Sequence, residues 1–177
     1  MTSFTFRRLK VEELSAAYEI IWEVTEWLLS KGVRQWLTPI PLDIYHQRQV
    51  DGDNYGLFVD DELGAVVSLL DERPDYWSVY LPDTPFKWLA TLASARKFKG
   101  RGLGQQTIVE AEFHLAVQGC AEIYLDCFYG NGILPQFYDS LGYQLVTRRD
   151  LDFPAGTFDS VLMRKRLYPP PNTQVKS

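Results

Sequence analysis

Leu92-Ala93-Ser94-Ala95-Arg96-Lys97-Phe98-Lys99-Gly100-Arg101-Gly102-Leu103-Gly104-Gln105-Gln106 is the stretch on which the reading of this chain turns. An apolar run ends, a basic turn carrying three glycines follows, and an amphipathic pattern begins. Glycine reaches backbone dihedrals closed to other residues and leaves successive N–H groups unobstructed. The first turn of a helix adds donors without an intrahelical partner and a partial positive charge of roughly half an elementary charge. Arg96, Lys97, Lys99 and Arg101 place cations around the same point. This local arrangement suits a pyrophosphate. The glycine spacing is G-x-G-x-G late in the chain, which fits neither the dinucleotide fingerprint nor the P-loop, so a different phosphate cradle is required.

The rest of the chain limits the alternatives. Its 177 residues suit a single domain, read as 1–167, followed by a proline-containing polar tail, 168–177, expected to be disordered. Hydrophobic residues make up 46% and charged residues 23%, a globular composition. The formal net charge of −5 excludes a general attraction to nucleic acid or anionic membrane, so an anionic ligand must be held by a local cluster of donors. The N-terminus lacks the apolar run of a signal peptide, and no stretch reaches the ~20 apolar residues of a membrane span, so a cytoplasmic location is expected. Two cysteines, Cys120 and Cys127, and two histidines are too few for a disulfide framework or a tetrahedral metal site. Two reduced thiols and no metal are expected.

Periodicity sets the order of elements. Phe4–Leu9 reads as a strand. Leu14, Ala17, Tyr18, Ile21, Thr25, Leu28 and Leu29 share one helical face, with Gly32 as a stop. A shorter helix is expected from Pro41 to about Val50. Tyr55–Val59 and Ala65–Leu70 read as a hairpin joined by Asp60–Gly64, and most of the proline-rich segment Asp71–Pro85 as a loop. A strand over Lys87–Ser94 precedes a helix starting at the glycines near 102, whose inner face is Leu103, Thr107, Ile108, Ala111 and Leu115. A strand over Glu122–Phe128, a short helix through Leu134, Phe137, Tyr138 and Leu141, and strands Tyr143–Thr147 and Phe158–Arg166 complete the order.

Lys99-Gly100-Arg101-Gly102-Leu103-Gly104 resembles motif A of the GNAT superfamily of N-acetyltransferases, (Arg/Gln)-x-x-Gly-x-(Gly/Ala), departing from it only at Lys99. Asn131-Gly132-Ile133-Leu134-Pro135-Gln136-Phe137-Tyr138-Asp139-Ser140-Leu141-Gly142-Tyr143 is similar to the family's second motif, Asn-x-x-(Ala/Leu)-x-x-Phe-Tyr-x-x-x-Gly-(Phe/Tyr). The two occur in the family's order, over about residues 55–167. The resemblance implies a mixed α+β fold with a central, mostly antiparallel twisted sheet, splayed parallel strands and about four flanking helices. It also implies acetyl-CoA as cosubstrate and an amine as acceptor.

The same resemblance implies roles for particular residues. Backbone groups of Leu92, Ala93 and Ser94 would bond the pantetheine arm. The turn Lys99, Gly100, Arg101, Gly102, Leu103, Gly104 and Gln105 would hold the diphosphate, and Asn131 would add a polar contact to the cofactor besides capping its helix. Tyr138 would act as acid toward the leaving sulfur. The general base stays open among Asp126, Asp71, Glu72 and Asp75, and His114 reads as a packing residue. Trp27 and Trp36, with Gln35 between them and Tyr76-Trp77 opposite, are read as lining the acceptor side; Trp36, Glu72 and Trp77 are the acceptor contacts expected. A small-molecule amine or a peptide acceptor, a homodimer, and a non-catalytic acyl-CoA sensor or subunit all stay open at this point.

Overall fold

Two β-prone runs flank Asp60-Asp61, and both aspartates take left-handed backbone, with φ of 47° and 67°. That geometry follows the natural twist of a tight hairpin. Asn54–Val59 (β2) and Glu62–Leu70 (β3) therefore meet across a tight turn, not across the longer Asp60–Gly64 connection that the sequence reads. Gly64 lies inside β3, where a Cβ would come within 2.8 Å of the Leu103 side chain and 3.0 Å of Val59. A glycine that reads as a turn signal is here a packing requirement.

The computed structural model describes residues 2–171. The remaining strands are Phe4–Arg8 (β1), Lys87–Ser94 (β4), Glu122–Phe128 (β5), Gln144–Phe153 (β6) and Gly156–Arg166 (β7). Together they form a seven-stranded sheet in the order β1-β2-β3-β4-β5-β7-β6, antiparallel throughout except for the β4–β5 pair. Helices Leu14–Ser30 (α1), Leu42–Val50 (α2), Leu103–Val117 (α3) and Ile133–Ser140 (α4) cover it. The α+β architecture expected from the sequence is the one observed. The disordered tail expected over 168–177 falls mostly on 172–177, outside the described residues; Tyr168–Pro171 lie beyond the last strand.

Strand alternation divides the core between the sheet's faces. Val67, Leu69, Ile123, Leu125 and Cys127 pack with Ile108, Ala111 and Leu115 of α3 and with Tyr138 of α4. Val66 and Ala93, on the other face, meet Ala17, Ile21 and Val24 of α1. Each fully buried Ile or Leu stabilises the fold by roughly 1.5–3 kcal/mol. The inner face of α3 is the expected one, every member being buried. On α1 the face is rotated: Ile20 and Val24 are buried while Leu29 is exposed, because the 3.6-residue period carries the stripe along 17, 20, 21, 24 and 28.

Most of Asp71–Pro85 is loop, as read, and within it a 3-10 helix over Asp75–Tyr80 buries Trp77 completely against Leu70, Trp88 and Tyr124. One further expectation needs correction. The last hairpin is longer than Tyr143–Thr147 and Phe158–Arg166. Its charged run belongs to the ladder, where Arg148 spans to Asp159 through two hydrogen bonds of 2.9 and 2.7 Å.

Candidate active site

β4 and β5 are hydrogen-bonded only at Lys87↔Ile123 and Trp88↔Tyr124. Beyond that point the two strands part, and the backbone of β4 facing β5 loses its ladder. A bulge sharpens the divergence: between Val66↔Ala93 and Ser68↔Ala90 the β3–β4 register shifts, and Thr91 takes a φ of 55°. The gap is a cleft of about 650 Å³, whose walls include Leu92, Ala93, Ser94, Gly104, Asp126 and Tyr138. A groove of about 700 Å³ at the opposite end of these strands lies where they are zipped together, so no strand backbone opens into it.

The glycine turn stands at the mouth of the splay. Gly100 and Gly102 have φ of 80° and 69°, and a Cβ at either would meet nothing within 4 Å. Their glycines answer a backbone requirement and keep the outer side of the turn open. The amides of Gly102, Leu103, Gly104 and Gln105 have no backbone acceptor, the first helical bond being Gln106 N–H to the Gly102 carbonyl. They form a set of parallel donors at the positive end of α3. Lys99 and Arg101 are exposed and pair with no carboxylate among the described residues. Lys97 is tied to Glu62, and the Arg96 guanidinium lies 3.9 Å from the Trp27 ring centroid. Leu103 offers only backbone here, as its side chain is buried beside Leu57, Val59 and Ala65. This donor set fits a diphosphate.

Asn131 is exposed and precedes the helix cap, which is Gly132 and not Asn131 as the sequence reads; its Oδ1 accepts the Ile133 N–H at 3.3 Å in a local turn that leads into α4. One turn on, Tyr138 is buried with its ring edge-to-face against Phe137 and Tyr143. Its hydroxyl makes no hydrogen bond to another described residue and lies on the cleft wall. Burial, then Cys127 and Asp126, push its pKa well above the ordinary phenol value, so it keeps its proton at neutral pH. Burial likewise pushes the Cys127 thiol up to about 12, which leaves it inert as a nucleophile.

Asp126 and Cys127 are neighbours on β5 and so face opposite sides of the sheet. Cys127 joins the α3–α4 side, while Asp126 accepts the Trp77 indole N–H at 2.8 Å on the other. Burial raises the Asp126 carboxyl to about 6, the Trp77 bond opposing the shift. Trp77 thus supports the carboxylate from beneath instead of lining the cleft as the sequence reading expects; its neighbour Tyr76 is the ring on the wall. In an irregular segment no period tells which of two adjacent aromatics points inward.

Trp36 and Glu72 both line the cleft. Gln35 lines the cleft with both tryptophans, and its Oε1 accepts the Phe128 N–H at 2.6 Å, which pins the α1–α2 loop to the end of β5. Asp71 is held by Lys87 at 2.8 Å, away from the cleft. His114 packs against Phe6 and Tyr55. The reading misses Arg48, which donates to Thr91 Oγ1 at 3.1 Å and reaches Glu72 at 3.5 Å. Nothing in the sequence around it marks it, since its partners come from distant strands.

A glycine turn with free amides before a helix and a cleft between splayed parallel strands with a tyrosine on its wall are consistent with an acyltransferase. The acetyltransferase (GNAT) family model matches residues 15–143, and the chain belongs to that family. It is 28% identical over 141 residues to the N-acetyltransferase YesJ of Bacillus subtilis, covering 76% of this chain and 78% of that protein. Its fold is similar to that of a GNAT-family acetyltransferase from Streptococcus agalactiae, with a TM-score of 0.74, 18% identity and coverage of 92% and 95% of the two chains. It is also similar to YncA from Salmonella typhimurium, solved with its cofactor acetyl-CoA, at a TM-score of 0.66, 16% identity and coverage of 93% and 94%.

Proposed function

We propose that the chain transfers acetyl from acetyl-CoA to an amine by direct attack within a ternary complex, with Tyr138 as acid and Asp126 as base. The observation that carries this reading is the placement of the two on opposite faces of β5, both on the wall of one cleft. Acetyl-CoA, when bound, supplies a thioester whose carbonyl carbon accepts the amine and whose sulfur departs as a thiolate. The amides of Gly102 to Gln105 would take its diphosphate, and the open edge of β4 from Leu92 to Ser94 would align the arm. Tyr138, protonated and without another partner, donates its proton toward the sulfur. An amine is protonated at neutral pH and must lose a proton before it attacks. Asp126, raised to about 6, is ionised at pH 7 yet basic enough to take that proton directly or through a water.

Purified protein incubated with acetyl-CoA and primary amines, followed by free thiol, tests the reaction. Amine-dependent thiol release is expected. Binding of acetyl-CoA with no release for any amine would replace the enzyme reading with a sensor.

The pH dependence of kcat/KM follows from Asp126. Below about 6 its carboxyl is protonated and cannot accept, so the rate is expected to fall about tenfold per pH unit there. A flat profile from pH 5 to 8 removes Asp126 from the base role. Stability moves the opposite way. The folded-state value lies above the unfolded one near 3.8, so folding takes up a proton between these values and the fold gains stability as pH falls through that window. At pH 8 the ionised group costs stability, and Asp126→Asn, which still accepts from Trp77, is expected to stabilise by about 1–2 kcal/mol after allowance for the open cleft. Denaturant melts at pH 8 and pH 4 check it, the difference vanishing at the lower pH.

A further inference from the structure

Past Asp126 the cleft adjoins a second chamber of about 350 Å³. Trp36, Tyr76, Asp126 and Cys127 line both spaces, so the carboxylate stands at their junction. The outer walls are Leu37, Phe128, Leu151, Phe153 and Phe158, supplied by the loop after α1, the end of β5 and the tip of the β6–β7 hairpin. Three of the rings form a connected row: Tyr76 meets Phe153 edge-on at 5.4 Å between centroids, and Phe153 meets Phe158 at 5.9 Å.

Charge is sparse in this space. Among the described lining residues only Asp126, at the inner end, and Arg34 are ionic, and the Arg34 guanidinium already lies over the Phe158 ring at 5.2 Å. An amine entering on a bulky apolar carrier gains at both ends, with its nitrogen against Asp126 and its carrier against the rings. A polyamine that enters the chamber would have to bring a second ammonium among phenylalanines and toward Arg34, and the described residues lining the chamber include no carboxylate besides Asp126. A cavity of ~150 Å³ already accommodates benzene, so this chamber holds a phenyl ring with a short linker.

We infer that the acceptor is a primary amine joined by a short linker to an aromatic or comparably bulky apolar group, which lodges among Phe128, Phe153 and Phe158. The inference rests on the acetyl transfer proposed above and narrows its acceptor. Thiol release by the full chain with acetyl-CoA is compared for 2-phenylethylamine, n-propylamine and spermidine. The value of kcat/KM for 2-phenylethylamine is expected to exceed that for n-propylamine by about tenfold or more, with spermidine lowest. Phe158→Ala should reduce the phenylethyl-to-propyl ratio about tenfold, and Phe153→Ala, at a 39% exposed position that tolerates change, should reduce it by about threefold.

A thermal-shift measurement with 2-phenylethylamine in the presence of coenzyme A reads occupancy without turnover; a rise is expected for the wild type and its loss in Phe158→Ala. Equal rates for the phenyl and propyl amines, or a preference for spermidine, overturn the inference and leave acetyl transfer intact. A thermal shift that depends on Phe158 without any thiol release supports the chamber's ligand class and overturns the reaction instead. With neither shift nor aromatic preference, the inference falls.

Discussion

Tyr138→Phe is expected to lower kcat by roughly 10²–10⁴-fold while leaving the affinity for acetyl-CoA within about a factor of two. The ring and the hydroxyl do different things. The ring is part of the core, edge-to-face with Phe137 and Tyr143 and packed with Cys127 and Val161, and phenylalanine keeps all of that. What the substitution removes is a hydroxyl that no other described residue satisfies and that faces the cleft. Its burial, with Cys127 and Asp126 nearby, holds the proton on the oxygen at neutral pH, as an acid requires. Losing only this proton donor should therefore appear in kcat and not in binding, because donation to a departing sulfur matters in the transition state alone. Steady-state kinetics and acetyl-CoA calorimetry on the same preparation make the distinction. A fall in kcat of less than about threefold assigns Tyr138 to packing and leaves the thiolate to depart unassisted.

How much of this was legible beforehand depends on whether a residue's environment comes from its own element or from elsewhere. β4 and β5 read correctly to the residue, since each is a β-rich run bounded by turn residues, and the first-turn glycines of α3 mark their own backbone requirement. The two sides of β5 follow from alternation, so Asp126 could be separated from Cys127 on sequence alone. The β6–β7 hairpin was truncated in the reading because Arg148, Arg149, Asp150 and Asp152 look like a solvated loop. Their partners, such as Asp159 for Arg148, appear only once the strands are paired. Tyr76 lines the cleft as read and Trp77 does not, for a similar reason: a short 3-10 helix in a proline-rich segment has no long period to fix which ring is buried. Arg48 was silent because Thr91 and Glu72, its contacts, are 43 and 24 residues away. The aromatic chamber likewise draws on four separate segments, and no single stretch announces it.

Gly104→Leu should abolish the thermal stabilisation by acetyl-CoA, lowering its affinity about 10²-fold or more, without unfolding the protein. Unlike Gly100 and Gly102, Gly104 has no left-handed backbone to defend. A Cβ there meets Ser94 Oγ at 3.5 Å and the Phe137 ring at 3.7 Å, ordinary contacts on the cleft wall. Alanine is consequently tolerated, and Gly104→Ala is expected to raise the stability of the free protein by up to about 1 kcal/mol, the usual gain of alanine over glycine in a helix. Leucine carries further carbons from the same Cβ into the space between the end of β4 and α4, across the amide that the cradle must present. The pair of variants thus separates fold from ligand: one stabilises the chain and spares the cleft, the other spares the chain and fills the cleft. Should Gly104→Leu still be stabilised by acetyl-CoA to the wild-type extent, the diphosphate lies somewhere other than the start of α3, and the roles assigned to Leu92–Ser94 and Tyr138 lose their anchor.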